Sequence, residues 1–255
     1  NKVTGNGWSM ADSVTFSASG DVNDIGVTLS LELDGDAADG TNQLDSQSIK
    51  LDFGEGGTLT FAGHGGSSAM SAVDDVVPNA YEEPWDVVTG ADAGIINGHS
   101  GNNMFTYNYS HDSGVGVTVA YLNASDAVTD VSYSDIGLTY TGIDGLTLGY
   151  AQGDVEQTTA TKSDEHTMYL KYAMGPITVG VQSSEKDEDG GSSNDTESTG
   201  VGLTYQVNDD LSVGIGSHTI EYNSGDDQES TGFSASYTMG SLTIAGAYNS
   251  VDNIA

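Results

Sequence analysis

The chain has 255 residues, 36% of them hydrophobic, and sets 38 acidic residues against five basic ones for a formal net charge of −33. All five basic residues are lysine (Lys2, Lys50, Lys162, Lys171, Lys186), so the basic footprint that nucleic-acid binding requires is missing. Without cysteine there is no disulfide framework or thiolate metal site, and no run approaches the roughly 18 apolar residues of a membrane helix; a membrane protein built from strands stays open.

Nearly all the periodicity along the chain has period two, the mark of strands whose successive side chains point to opposite faces. A first strand reads over 14–20. Val27, Leu29, Leu31 and Leu33 then alternate with Thr28, Ser30 and Glu32, and Ile49, Leu51 and Phe53 with Lys50 and Asp52. A strand over 57–63 leads into a long stretch without strand pattern, and alternation resumes at 103–107. It continues through Val117-Val119-Tyr121, Ile136-Leu138-Tyr140, Leu146-Leu148-Tyr150, Met168-Leu170-Tyr172 and Ile177-Val179-Val181. The last set is Val201-Leu203-Tyr205, Leu211-Val213-Ile215, Ile220-Tyr222, Phe233-Tyr237 and Leu242-Ile244-Tyr248. The other phase is Thr, Ser, Gly, Asn and Gln with a few charges. A sandwich with its apolar face inward and a barrel with its apolar face outward both give this pattern.

The connections separate the two. Tight links at 21–24, 54–57, 110–114, 142–145, 174–176, 207–210 and 239–241 alternate with long polar ones, among them 35–46, 123–131, 154–165 and 184–197. The long links hold most of the acid, as in Glu185-Lys186-Asp187-Glu188-Asp189-Gly190. Short turns at one end and long loops at the other are the organisation of an outer-membrane barrel. Tyrosine follows the same logic. Tyr121, Tyr140, Tyr150, Tyr172, Tyr205, Tyr222, Tyr237 and Tyr248 are expected on the apolar phase near strand ends, forming two aromatic belts where rings meet headgroups and water.

The stretch without strand pattern, 62–102, holds Pro78, Pro84 and Trp85; loops this long inside compact domains are usually functional. It follows Gly57-Thr58-Leu59-Thr60-Phe61-Ala62-Gly63 and precedes Gly101-Asn102-Asn103-Met104-Phe105-Thr106-Tyr107. With a glycine-bounded strand before it and an Asn-Asn…Tyr strand after it, the chain resembles the general bacterial porins over essentially its whole length, especially those of marine α-proteobacteria. The resemblance implies an all-β fold: one antiparallel transmembrane β-barrel spanning 1–255, with 62–102 as a third external loop folded into the lumen as its constriction. Fourteen strands are readable, four before that loop and ten after it. The family has sixteen, so either the first and last strands are absent from the chain, with 1–13 as an external loop, or the barrel is a genuine fourteen-stranded one. The terminal Phe typical of the family is also missing. A bacterial outer-membrane location, contact with its lipid, a homotrimer, and passive diffusion of small hydrophilic solutes and cations are further implications.

Within 62–102, Asp74, Asp75, Glu82, Glu83, Asp86 and Asp92 are candidates for the pore constriction, with Asp74, Asp75, Glu82 and Glu83 favoured. In the family, arginines on the facing wall set up a transverse field. This chain has none, and Lys50 and Lys171, on the polar phase of their strands, are the basic wall candidates. With little to offset the carboxylates, cation preference is expected.

No enzyme is expected. The five histidines (His64, His99, His111, His166, His218) have no ligand spacing, and there is neither a Gly-x-Ser-x-Gly nor a P-loop motif. No metal site or cofactor is expected beyond weak Ca²⁺ binding by acidic loops such as Asp34-Gly35-Asp36 and 187–195, which lack the EF-hand order. The competing reading is a secreted acidic adhesin or surface-layer β-protein with the apolar phase packed inside.

Overall fold

The structure is a computed structural model that describes residues 13–34, 44–73, 75–86, 88, 90–92, 100–123, 131–157, 162–188 and 195–254. The strands are β1 Ser13–Val22, β2 Ile25–Asp34, β3 Leu44–Asp52, β4 Thr58–His64, β5 Gly66–Ser67, β6 Ser100–Gly101, β7 Met104–Ser110 and β8 Val115–Leu122. They continue with β9 Val131–Ile143, β10 Leu146–Gln157, β11 Ser163–Met174, β12 Ile177–Glu188, β13 Thr196–Gln206, β14 Leu211–Tyr222, β15 Gln228–Met239 and β16 Leu242–Asp252. Fourteen of them form one sheet in strict chain order, each antiparallel to its neighbour, and the small β5–β6 ribbon stands apart inside the long loop. β1 pairs with β2 and β16 with β15; among the described residues these two edge strands do not pair with each other.

Each tight link has turn chemistry that fits a hairpin. Asn23 and Asp24 both adopt positive φ (51° and 64°), as a two-residue turn between right-twisted strands demands. Gly145, at φ 74°, closes the β9–β10 turn. The long links all lie at the opposite end. Several are shorter than the sequence suggests, because β10 runs on to Gln157, β11 begins at Ser163, β12 reaches Glu188 and β13 begins at Thr196. The acidic run at Glu185–Glu188 is therefore strand, not loop. Its alternating pattern is hidden because both faces are polar at this height, so no period-two hydrophobicity remains to be read.

Register fixes the faces. Thr28, Lys50, Thr60, Thr106 and Ala120 are successive partners across β2, β3, β4, β7 and β8 and share the small, polar face. The apolar phase faces out: Leu29 is 52% exposed, Leu138 43%, Leu170 40% and Ile244 64%, and Val119 and Leu148 are exposed as well. Leu31 and Leu203 share that face and are half-buried. None of these eight lies between stacked sheets, so the sandwich arrangement is ruled out. On this face an apolar zone gives way towards the loop end to Gln152, Asp154 and Glu156 on β10, and to Thr199 and Glu197 on β13.

The buried apolar cluster of the chain is internal. Met70 and Val73 of the long loop pack with Tyr133, Ala151 and Ile220 of the sheet's inner face. This is the inverse of a soluble β-protein: the sheet exposes its apolar face, and its apolar cluster lies where the loop meets its inner side.

Candidate functional site

Residues 65–103 form the long excursion, and nearly every described part of it is tied to the inner wall. Thr106 Oγ1 on β7 donates to the Ser67 carbonyl at 3.1 Å. Asp135 on β9 accepts the Met70 amide at 2.7 Å on Oδ2 and the Ala120 amide of β8 at 3.0 Å on Oδ1. Gln182 on β12 holds the next segment at both ends of its amide: Oε1 accepts from Val76 N at 3.2 Å and Nε2 donates to the Val73 carbonyl at 2.6 Å. The Ala80 amide donates to Ser234 Oγ on β15 at 3.0 Å. Asn249 Nδ2 on β16 donates to the Glu83 and Asp86 carbonyls at 2.7 and 2.8 Å. Trp85 lies against His218 of β14, ring centroids 4.2 Å apart.

The reason for this chemistry is elementary. A loop inside a sheet has no strand ladder, so its backbone donors and acceptors must be met by side chains. Amide side chains suit the task because one group supplies both a donor and an acceptor.

The predicted constriction carboxylates divide into groups. Glu82, Glu83 and Asp86 come together, each offering an oxygen within 4.8 Å of the others, half-buried on the segment that Asn249 fastens to β16. Asn79 Nδ2 donates to Glu83 Oε1 at 2.7 Å. Burial, reinforced by a hydrogen bond with Asp86, pushes the Glu83 carboxyl up to about 7. Asp75 is exposed and outside that group, though its charge still acts on Glu83 and helps raise it. Asp92 is held at the wall, its backbone bonded to Gln228 and its carboxylate to the Tyr222 hydroxyl. Asp74 lies outside the described residues, as do His99, Lys2, Gly35, Asp36 and 189–194.

Lys50 and Lys171 fall on the inner face, in register with Thr60 and with Gly180. Lys186 shares the inner phase of β12 with Gly180, Gln182 and Ser184, and pairs with Glu188 at 2.8 Å. Sequence reading placed it in a loop; the signal that finds it is its even spacing from Gln182.

Tyr121, Tyr140, Tyr150, Tyr172, Tyr205, Tyr237 and Tyr248 stand on the outer face. Tyr140, Tyr172, Tyr205 and Tyr237 are near the tight turns. Tyr121 and Tyr150 are higher, their hydroxyls donating to Asn123 and Gln152. Tyr222 corrects the expectation. The apolar phase of β14 ends at Ile215, and Ile220 and Tyr222 lie on the opposite, inner face with His218, where the loop covers them. The described histidines are dispersed: His64 bonds the Asp45 carbonyl, His111 bonds Ser113, His166 pairs with Glu185 at 3.3 Å, and His218 meets Trp85. The anchors Asp135, Gln182, Gln228 and Asn249 were missed by sequence reading, because a polar residue on a polar phase carries no distinguishing mark.

A fourteen-stranded antiparallel sheet, apolar outside and polar inside, with a long loop fastened along its inner wall, defines a membrane β-barrel of the channel type. The match to the family described as Gram-negative porin runs over residues 1–255, and the chain belongs to that family. It is therefore an outer-membrane porin channel, and membership decides against the adhesin reading. No curated protein matches by sequence. Among solved structures, the fold is similar to an anion-selective porin from Comamonas acidovorans, with TM-score 0.74 and 17% identity over 96% of this chain and 79% of that one. It is also similar to the trimer form of OmpT from Vibrio cholerae, with TM-score 0.70 and 17% identity over 95% and 80%. A mutant of the Rh. blastica porin gives 0.65 and 15% over 93% and 84%. At these identities the likeness is one of fold.

Proposed function

We propose that the channel passes small hydrophilic solutes by passive diffusion, prefers cations, and is narrowed by residues 62–102. The observation that carries the reading is the Glu82–Glu83–Asp86 cluster on a segment anchored to the inner wall, in a chain with no arginine to oppose it. Carboxylates in a confined passage are screened less than those on outer loops, where the Debye length is about 8 Å at physiological salt. They act on every ion that passes. Asp75 adds charge to the same loop, and Lys50 and Lys171 are too few to offset it. The cluster is also where a divalent cation such as Ca²⁺ would associate weakly and compete with K⁺. Reversal potentials in a KCl gradient test the reading: cation preference is expected, weakened by neutralising Glu82, Glu83 and Asp86 together, and anion preference would overturn it.

The assembly that fits best is a homotrimer in the outer membrane. An apolar groove of about 500 Å³ on the outer face of β1–β4, lined by Phe16, Leu29, Leu31, Ile49 and Phe61, offers the kind of wall that packs against another copy. A mass of one chain in mild detergent would count against the trimer.

A further inference from the structure

Four glycines on the inner face of β12–β15 lie in one unbroken register row. Gly180 is the partner of Gly202, Gly202 of Gly216, and Gly216 of Gly232. The loop is seated on this row through its two prolines. Pro78 touches the positions that side chains at Gly180 and Gly202 would occupy, and a Cβ on Gly202 would also stand 2.5 Å from Val77 Cγ1. A Cβ on Gly216 would stand 2.8 Å from Pro84 Cγ, and one on Gly232 would stand 3.0 Å from Pro84 Cα. Between the two prolines, Gly214 leaves room for the Ala80 amide at 2.8 Å from the same construction, where Ser234 Oγ receives it.

Resting on the channel reading above, we propose that the row Gly180–Gly202–Gly216–Gly232 is a seat that sets how closely the loop lies against the wall, and so sets the free cross-section of the pore. Its glycines are positioning residues that act through Pro78 and Pro84. Two independent features support this. Strand glycines lose entropy on folding and pack nothing, so four in register are costly to the sheet unless something approaches closely. At Gly180 and Gly216 the approaching groups are proline rings of fixed shape, which cannot yield as a flexible side chain would; at Gly202 the Pro78 carbonyl is met as well, and at Gly232 Asn249 Oδ1 lies nearer than Pro84. A single methyl at Gly180 or Gly216 therefore moves the loop rather than a side-chain tip, and the movement open to it is towards the lumen.

The test is single-channel conductance, with the size limit for neutral sugars in liposome swelling as a second readout. Gly216→Ala should lower both. Combining it with Pro84→Ala removes the ring that the methyl meets and should restore both. Gly246→Ala, with nothing within 4 Å of its added carbon, should match the unsubstituted protein. Gly180→Ala, relieved by Pro78→Ala, repeats the experiment at the other end of the row and serves if Gly216→Ala does not assemble. Conductance and size limit unchanged in folded Gly216→Ala and Gly180→Ala would overturn the proposal, as would a loss that the proline changes do not relieve. An unsubstituted protein that conducts nothing would overturn the channel reading itself.

Discussion

Gln228 and Asp92 form a closed two-bond ring: the Asp92 amide donates to Gln228 Oε1 at 2.9 Å, and Gln228 Nε2 donates to the Asp92 carbonyl at 3.0 Å. Gln228 has no exposed surface, so its side-chain amide is shielded from water and committed to these two bonds. The ring fixes the returning arm of the loop to β15 as Gln182 fixes its outgoing arm to β12.

Breaking one of these clasps removes the partners of loop backbone groups. Gln228→Ala should cost about 1–3 kcal/mol, the net worth of two hydrogen bonds at roughly 0.5–1.5 kcal/mol each. Asp135→Ala should cost at least as much, because its carboxylate accepts from both the Met70 and the Ala120 amides. Urea titration of the protein folded into liposomes measures the loss. Unchanged midpoints would mean that the loop is not held this way.

The outer face predicts an asymmetry. Leu170 faces out in the apolar zone of β11, whereas Thr118 of β8 faces in. Leu170→Arg should destabilise the membrane-folded state by roughly 2–4 kcal/mol if it sits at mid-depth. Thr118→Arg should be far better tolerated and should shift ion selectivity instead. Equal losses at the two positions would contradict the assignment of faces.

Acidity should weaken cation preference. Glu83 is pushed up to about 7, chiefly by burial. It carries its charge above that value and loses it below. Lowering pH through neutrality therefore removes one carboxylate charge from the cluster, and the cation-to-anion permeability ratio should fall. Glu83→Gln should abolish that step, leaving only the titration of ordinary carboxylates at lower pH. A ratio that stays flat through neutrality in the unsubstituted protein would show that Glu83 does not face the ion path.

Strand order, the tight turns and the outward phase were legible because they rest on period-two hydrophobicity and on turn residues such as Asn23-Asp24 and Gly145. Legibility ended where that contrast ended. Above the apolar zone both faces are polar, so the run at Glu185–Glu188 read as loop, and Lys186 was not recognised as inward-facing. Tyr222 is misleading in the sequence for a related reason. Ile220 and Tyr222 look like one more apolar alternation, yet they occupy the other phase of the strand that carries Val213 and Ile215, and the loop rather than lipid covers them. The constriction cluster was half visible. The loop's acids stood out, but their division between a wall-fastened Asp92, an exposed Asp75 and the grouped Glu82, Glu83 and Asp86 depends on contacts with β14–β16 that no local pattern encodes.

The measurement that bears most directly on the whole account is a cross-link between loop and wall, which the absence of native cysteine makes unambiguous. The Ala80 amide is 3.0 Å from Ser234 Oγ, so the two residues are within reach of each other across the lumen side of β15. Ala80→Cys combined with Ser234→Cys should form a disulfide on mild oxidation in intact outer membranes, read as an altered gel mobility that reverses on reduction. Ala80→Cys paired with Ile244→Cys, which faces outward, should not. Cross-linking with Ile244 but not with Ser234, or with neither in folded protein, would place the loop outside the barrel and contradict the account.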